Sequence, residues 1–568
     1  MTYREQYENW LKNATQDPGI TSELKALQQD DNAIAERFSR ELVFGTGGLR
    51  GVIGAGLNRM NVYTVKKATK GISRYLREHF EKPSVAIAYD SRKNSDVFAK
   101  AAAEVLAQNG IVVHMFEELT PTPMLSFAVR YLQASAGIVI TASHNPAKYN
   151  GYKVYGSDGC QITLEAAEEI TGYIEDVDIF TGTVSGDYEN LYKQGTIQTI
   201  PDEVSSTYFE EVKRQSMFDA GGSGLSVVYS PLNGTGNKPV RFILKESGIE
   251  DIILVPEQEH PDSTFATCPY PNPEEAEALR LAVLLAEDRK ADIVLATDPD
   301  CDRVGTAIRH DGSYILVNGN QMGILLFDFI CKMRGELGRM PQKPVAIKTI
   351  VTSEMAQAVA DRYGVELINV LTGFKFIGEQ ISFLEQEGKE DRFIFGFEES
   401  YGYLVGSYVR DKDAIVASML ICQMASWYKK HGLTLVDALE ELYEQYGFYF
   451  EKLESFTFEG ISGMENMQRL MKDLRDNPPA SIGGLHVRII RDYLNSRQYE
   501  NGTEAPILLP SSDVMGFFLE GSSSTIVRPS GTEPKLKVYY SLVCADQAAS
   551  QAQFEQVSRS IRALLKIT

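Results

Sequence analysis

Short apolar runs alternating with amphipathic stretches constrain this chain more than any other feature. Val85-Ala86-Ile87-Ala88-Tyr89 is followed by a helix-like segment over 95–109, then by Val112-Val113-His114-Met115 and Ile138-Val139-Ile140. Such strand, helix, strand alternation predicts a parallel sheet joined by crossover helices. The pattern recurs at Ser226-Val227-Val228-Tyr229 with Asp292-Ile293-Val294-Leu295, and at Val345-Ala346-Ile347 with Arg392-Phe393-Ile394-Phe395. Beyond residue 450 the runs at 453–458, 485–490, 506–508 and 525–527 predict shorter strands, followed by a helix near 546–565. The expected fold class is α/β, with three topologically related α/β domains plus a C-terminal α+β domain around a central cleft. The expected boundaries are 1–218, which includes a helical lead-in over 1–42, then 219–335, 336–450 and 451–568; the Gly-rich Asp219–Gly224 marks the first break.

A chain of 568 residues exceeds what one core usually serves. Its net charge of −21 argues against nucleic acid and anionic membranes as partners, because both demand a basic face. Cys160, Cys268, Cys301, Cys331, Cys422 and Cys544 are widely spaced, which supports neither a zinc knuckle nor a disulfide framework. With a polar N-terminus and no apolar span, the chain is expected to be cytoplasmic. A monomer or weak homodimer acting on small molecules is expected.

Three motifs carry the chemistry. Ser143, in Thr141-Ala142-Ser143-His144-Asn145-Pro146, follows an apolar run and so falls beyond the carboxyl end of a strand, where open α/β sheets bind ligands. Alone it could equally cap a helix or close a turn, and the glycines of a hydrolase elbow are missing. Asp298, Asp300 and Asp302, spaced by two around Pro299, offer three hard oxygen donors for Mg²⁺. An EF-hand is ruled out, because Arg303 stands where its glycine belongs and Arg309 where its glutamate belongs. The alternative, a solvated acidic turn, carries the repulsion of three packed carboxylates. Arg303 adds a cation for phosphate oxygens. In the third run Arg528, Ser530, Gly531, Thr532 and Lys535 supply cations, hydroxyls and an open backbone suited to a second phosphate. Two weaker signals are Arg50, in Gly45–Gly51, and the run Phe397-Glu398-Glu399-Ser400 at a strand end. Together these point to phosphoryl transfer through a serine.

From about residue 40 onward the chain resembles the α-D-phosphohexomutases, most closely their bacterial α-phosphoglucomutase branch. Four signature loops occur in the family's order, as TASHNP (141–146), DPDCDR (298–303), EES (398–400) and RPSGTEPK (528–535). The resemblance implies that Ser143 carries the phosphoryl group and, with Asp298, Asp300 and Asp302, holds Mg²⁺. Arg50, Lys153 and His144 would assist transfer, and Lys412 would act as acid or base, the latter requiring a depressed pKa. Thr372, Gly373, Glu398 and Ser400 would bind the sugar. Arg303, Arg528, Ser530, Gly531, Thr532 and Lys535 would hold phosphate. The implied reaction interconverts α-D-glucose 1-phosphate and glucose 6-phosphate through glucose 1,6-bisphosphate. Mannose and pentose phosphates are alternative substrates, and a non-catalytic sugar-phosphate sensor is a remote one. Phe397 stands where many members have glycine, a change expected to alter loop shape and sugar choice.

Overall fold

Several helix starts in this chain are set by side chains that satisfy the first free backbone N–H groups. Thr2 with Glu5 caps Tyr3–Asn13, Asp17 caps Pro18–Ala26, Asp30 caps Asp31–Phe38, and Asn318 with Gln321 caps Gly319–Glu336. The computed structural model describes residues 1–45, 47–182, 186–458, 461–530 and 535–567. Four sheets organise the chain. The first runs Leu49–Val52, Tyr149–Gly156, Ala136–Ile140, Ser84–Tyr89, Val112–Met115, Ile197–Thr199. The second runs Ser313–Val317, Val304–His310, Ile293–Thr297, Ser226–Ser230, Asp251–Leu254. The third runs Glu366–Val370, Val345–Thr349, Phe393–Glu398, Gly402–Leu404.

These sheets are mixed rather than wholly parallel. In each, one parallel strand turns back through a short loop into an antiparallel neighbour: Ala136–Ile140 into Tyr149–Gly156, Ile293–Thr297 into Val304–His310, Phe393–Glu398 into Gly402–Leu404. A connection of 3 to 8 residues cannot make the crossover that parallel pairing requires. The repetition hidden in the sequence is therefore topological, and all three loops it creates carry predicted site residues.

The fourth sheet is antiparallel between its paired neighbours and is packed by helices Ile461–Asp476 and Gln547–Leu564. Its strands Ser524–Pro529 and Lys535–Cys544 pair antiparallel and flank the fourth motif. The strand expected at 506–508 forms instead at Thr503–Pro506. Asn501 and Gly502 have φ of 49° and 78°, so they form the tip of a two-residue hairpin that pairs Glu500 with Thr503 and fixes the register.

One apolar core runs through the first three domains, further cores lie within the first and second, and separate cores serve the fourth domain and the N-terminal helices. In the latter, Trp10 is fully buried and packs edge-on against Phe38, Tyr63 and Phe180. The lead-in is thus a layer on the first domain. A smaller cluster of Ile350, Val351 and Leu371 against Tyr493, Val514, Ile526 and Tyr539 joins the third domain to the fourth. All six cysteines are free; five are buried and Cys544 is half-buried. Among the described residues no helix is long and apolar enough to cross a membrane.

Candidate active site

The three hairpin loops converge. Ser143, buried and in the left-handed region at φ 50°, donates its hydroxyl to Asp298 Oδ2 at 2.7 Å and lies 3.1 Å from His144 Nδ1. Its backbone N–H donates to Thr141 Oγ1 at 2.8 Å. Such a backbone costs about 1–3 kcal/mol and persists where the surroundings over-determine it. Burial, reinforced by Arg303 and Arg50, holds the His144 ring well below the usual imidazole range, so it is neutral at pH 7.

Asp298, Asp300 and Asp302 are buried, and one oxygen of each lies within 4.8 Å of the others. Asp298 Oδ1 accepts from the backbone N–H of Asp302 and Arg303 at 3.1 and 3.0 Å, which curls the loop around it. Asp300 Oδ2 accepts from Lys153 Nζ at 2.8 Å and Thr122 Oγ1 at 2.9 Å. Burial and the neighbouring carboxylates push Asp298 well up, whereas Asp300 is held down, against its burial, mainly by Lys153. Oδ1 of Asp300 and Oδ1 of Asp302 are buried without a hydrogen-bond partner among the described residues. Three hard carboxylates with two orphaned oxygens fit a divalent cation of the Mg²⁺ type.

Two lysines face this triad. Lys153 lies 3.7 Å from Asp302 as well as against Asp300; burial would lower its pKa, but the two carboxylates prevail and raise it. Lys412 Nζ lies 3.1 Å from Asp302 and 3.0 Å from Asp411. Burial again opposes, and Asp302, Asp411 and Glu398 again win, so Lys412 is held as the ammonium. It suits charge stabilisation or proton donation, and its environment does not provide the depressed pKa of a base.

The sugar-side residues are also assembled. Glu398 Oε1 accepts from the Gly373 N–H at 2.9 Å, with Gly373 at φ 120°, where a side chain would be strained. Burial, opposed by Lys412 and reinforced by Glu399, pushes the Glu398 carboxyl up to about 7. Thr372 Oγ1 is buried without a partner among the described residues. Ser400 sits in the turn after the Glu398 strand. Glu399 points elsewhere, accepting from Thr349 and Thr352 at 3.3 and 3.2 Å. Arg303 is paired with Glu274 at 2.6 Å, and Arg50 donates to Asn145 Oδ1 at 3.3 Å. Ser530 N–H donates to Lys535 O at 2.7 Å, while Gly531 and Thr532 lie outside the described residues.

Phe397 lies in the core rather than in the cleft. Its ring is fully buried, stacks on Phe395 at 5.1 Å and fills the space opposite Gly323, where an added Cβ would come within 2.2 Å of it. Alternation along the strand turns it into the core while Glu398 faces the cleft.

Sequence reasoning missed several participants. Asp411, which holds Lys412 and accepts from Tyr155 OH at 2.7 Å, stood one residue from a named lysine and was findable. Glu274 gave no signal, since its loop joins Arg303 only in three dimensions. Lys537 lies cross-strand from Arg528 and feels its charge together with those of Glu274, Glu399 and Arg303, which brings the fourth domain to the same cleft.

Known proteins resemble this chain in sequence and fold. Residues 41–179, 206–312 and 318–446 match the phosphoglucomutase/phosphomannomutase alpha/beta/alpha domains I, II and III. A phosphoglucomutase of Staphylococcus aureus (strain MRSA252) is 40% identical over 544 residues, covering 95% of each chain. The chain belongs to the phosphoglucomutase/phosphomannomutase family. Two solved structures carry the family fold at a TM-score of 0.67 and 17% identity. A Burkholderia thailandensis phosphoglucomutase/phosphomannomutase family protein covers 92% of this chain and 97% of its own. The open form of Paramecium pp63/parafusin, a phosphoglucomutase, covers 93% and 95%. The three matched family domains each contribute one hairpin loop, bearing Ser143, Asp298–Asp302 and Glu398–Ser400 in turn.

Proposed function

We propose that this chain is a phosphoglucomutase that interconverts α-D-glucose 1-phosphate and glucose 6-phosphate, with the travelling phosphoryl group carried on Ser143. The observation that carries this reading is the Ser143 hydroxyl, 2.7 Å from Asp298 in a buried carboxylate triad faced by Lys153 and Lys412. The phosphoglucomutase relative that aligns over 95% of the chain supports glucose as the sugar. Asp298, Asp300, Asp302 and the phosphate of Ser143 would hold Mg²⁺, which when bound neutralises phosphoryl charge.

In the first half-reaction a sugar hydroxyl attacks the phosphorus, the Ser143 Oγ–P bond breaks, and Ser143 regains a proton equivalent to the one the hydroxyl loses. His144, 3.1 Å away, assists that proton. Lys153, Lys412 and Arg50 stabilise the charge of the transition state. The product is glucose 1,6-bisphosphate, which turns over and returns its other phosphate to Ser143. Glu398, Thr372, Gly373 and Ser400 bind sugar hydroxyls in both orientations. Arg303, Arg528, Ser530, Gly531, Thr532 and Lys535 grip the phosphate that stays.

The test is conversion of glucose 1-phosphate with Mg²⁺ and a trace of glucose 1,6-bisphosphate, alongside mannose and ribose 1-phosphates and a Ser143→Ala control. Glucose turnover that is lost with EDTA and absent from the control is expected. Faster mannose or ribose turnover would reassign the sugar. No turnover of any of the three would overturn the reading.

A further inference from the structure

Arg92 belongs to none of the motif loops, yet its guanidinium donates to backbone carbonyls on and beside the serine loop. It follows strand Ser84–Tyr89, and its side chain is wholly buried. Nη1 donates to the carbonyls of Pro146 and Tyr149 at 3.1 and 3.2 Å, and Nη2 donates to those of Ser143 and Asn145. Nε faces Asp90 Oδ2 at 3.4 Å, and Asp90 Oδ1 is fixed by Ser95 Oγ at 2.8 Å and by the Arg92 N–H at 2.9 Å. The flat guanidinium is covered at 5.1 Å by the ring of Phe265, a fully buried residue of the second domain. One rigid fork therefore gathers four carbonyls from a seven-residue stretch, a geometry that a lysine cannot reproduce.

We infer that Arg92, clamped beneath Phe265, is a positioning residue that fixes the backbone on which Ser143 sits. It touches no reacting atom. Resting on the phosphoglucomutase reading, its role follows from the demand that one phosphoserine meet two sugar hydroxyls in turn. A misplacement of about 1 Å costs on the order of 10²-fold in rate. Phe265 ties this backbone to the domain that carries Asp298, so that serine and carboxylates move as one unit.

Arg92→Lys retains charge and burial but not the fork. The expected result is a fall in kcat of about 10–100-fold with KM for glucose 1-phosphate within about twofold, the pattern of lost transition-state alignment. Phe265→Leu, which leaves Arg92 intact, should show a smaller fall with the same split. In both, the ³¹P resonance of the charged phosphoserine should shift from its wild-type position, a change that a merely destabilised fold away from the loop does not cause. Wild-type kcat and an unmoved ³¹P line in the two variants, even with a lower melting temperature, would overturn the inference. So would a raised KM with kcat retained, which would make Arg92 a binding aid. Absence of turnover in the wild type itself would instead remove the functional reading, and this inference with it.

Discussion

Opposed charges at single residues do most of the work at this site. Asp300 is kept ionised by Lys153, and Lys153 is kept protonated by Asp300 and Asp302, so neither tolerates neutralisation of the other. Asp300→Asn is expected to lower turnover by about 10²–10³-fold and to raise the Mg²⁺ concentration needed for half-activity, as read from a metal titration. Glu398 titrates where the enzyme would work. Its carboxyl sits at about 7, so it accepts hydrogen bonds as the carboxylate above that pH and gains a proton below it. The ratio kcat/KM should therefore fall as pH drops through about 7, and Glu398→Gln should be less active with that acidic limb flattened. A pH–rate profile of both proteins decides the matter.

At the scale of elements, strand Phe393–Glu398 and helix Gly319–Glu336 are fitted to each other through one absence. Phe397 occupies what a side chain at Gly323 would need. Gly323→Ala should destabilise by about 1–3 kcal/mol through overpacking, and Phe397→Leu should recover part of that loss, measured as melting temperatures in a double-mutant cycle. This pair also shows where sequence reading stops. Alternating apolar runs revealed the strands, and four spaced motifs revealed Ser143, the aspartates and Glu398, because those signals are local. Whether Phe397 faced sugar or core depended on a helix whose Gly323 lies 74 residues earlier. The antiparallel return strands were missed for a related reason: a run such as Val304–His310 reads the same whether its neighbour is parallel or antiparallel. Arg92 was invisible because the groups it gathers on the serine loop are carbonyls, which every residue has.

For the whole molecule, the seating of the fourth domain on the third rests on a small apolar cluster. The apolar junction of Ile350, Val351 and Leu371 with Val514, Ile526 and Tyr539 is what seats Arg528 and Lys537 over the cleft. Val514→Ala removes buried methyl groups there, worth about 1–2 kcal/mol. If that energy seats the domain, KM for glucose 1-phosphate rises by about 5–30-fold, and inorganic phosphate leaks from the phosphoenzyme as water gains entry. Steady-state kinetics with a phosphate-release assay would register both. The burial of the thiols bears on how that seating could be watched. Five cysteines are sealed in the interior while Cys544, at the end of the strand that begins at Lys535, is half-accessible. A maleimide dye should therefore attach first to that one position in the native protein. The natural chain thus carries its own reporter handle on the fourth domain, and fluorescence can read how that domain is seated without a single engineered residue.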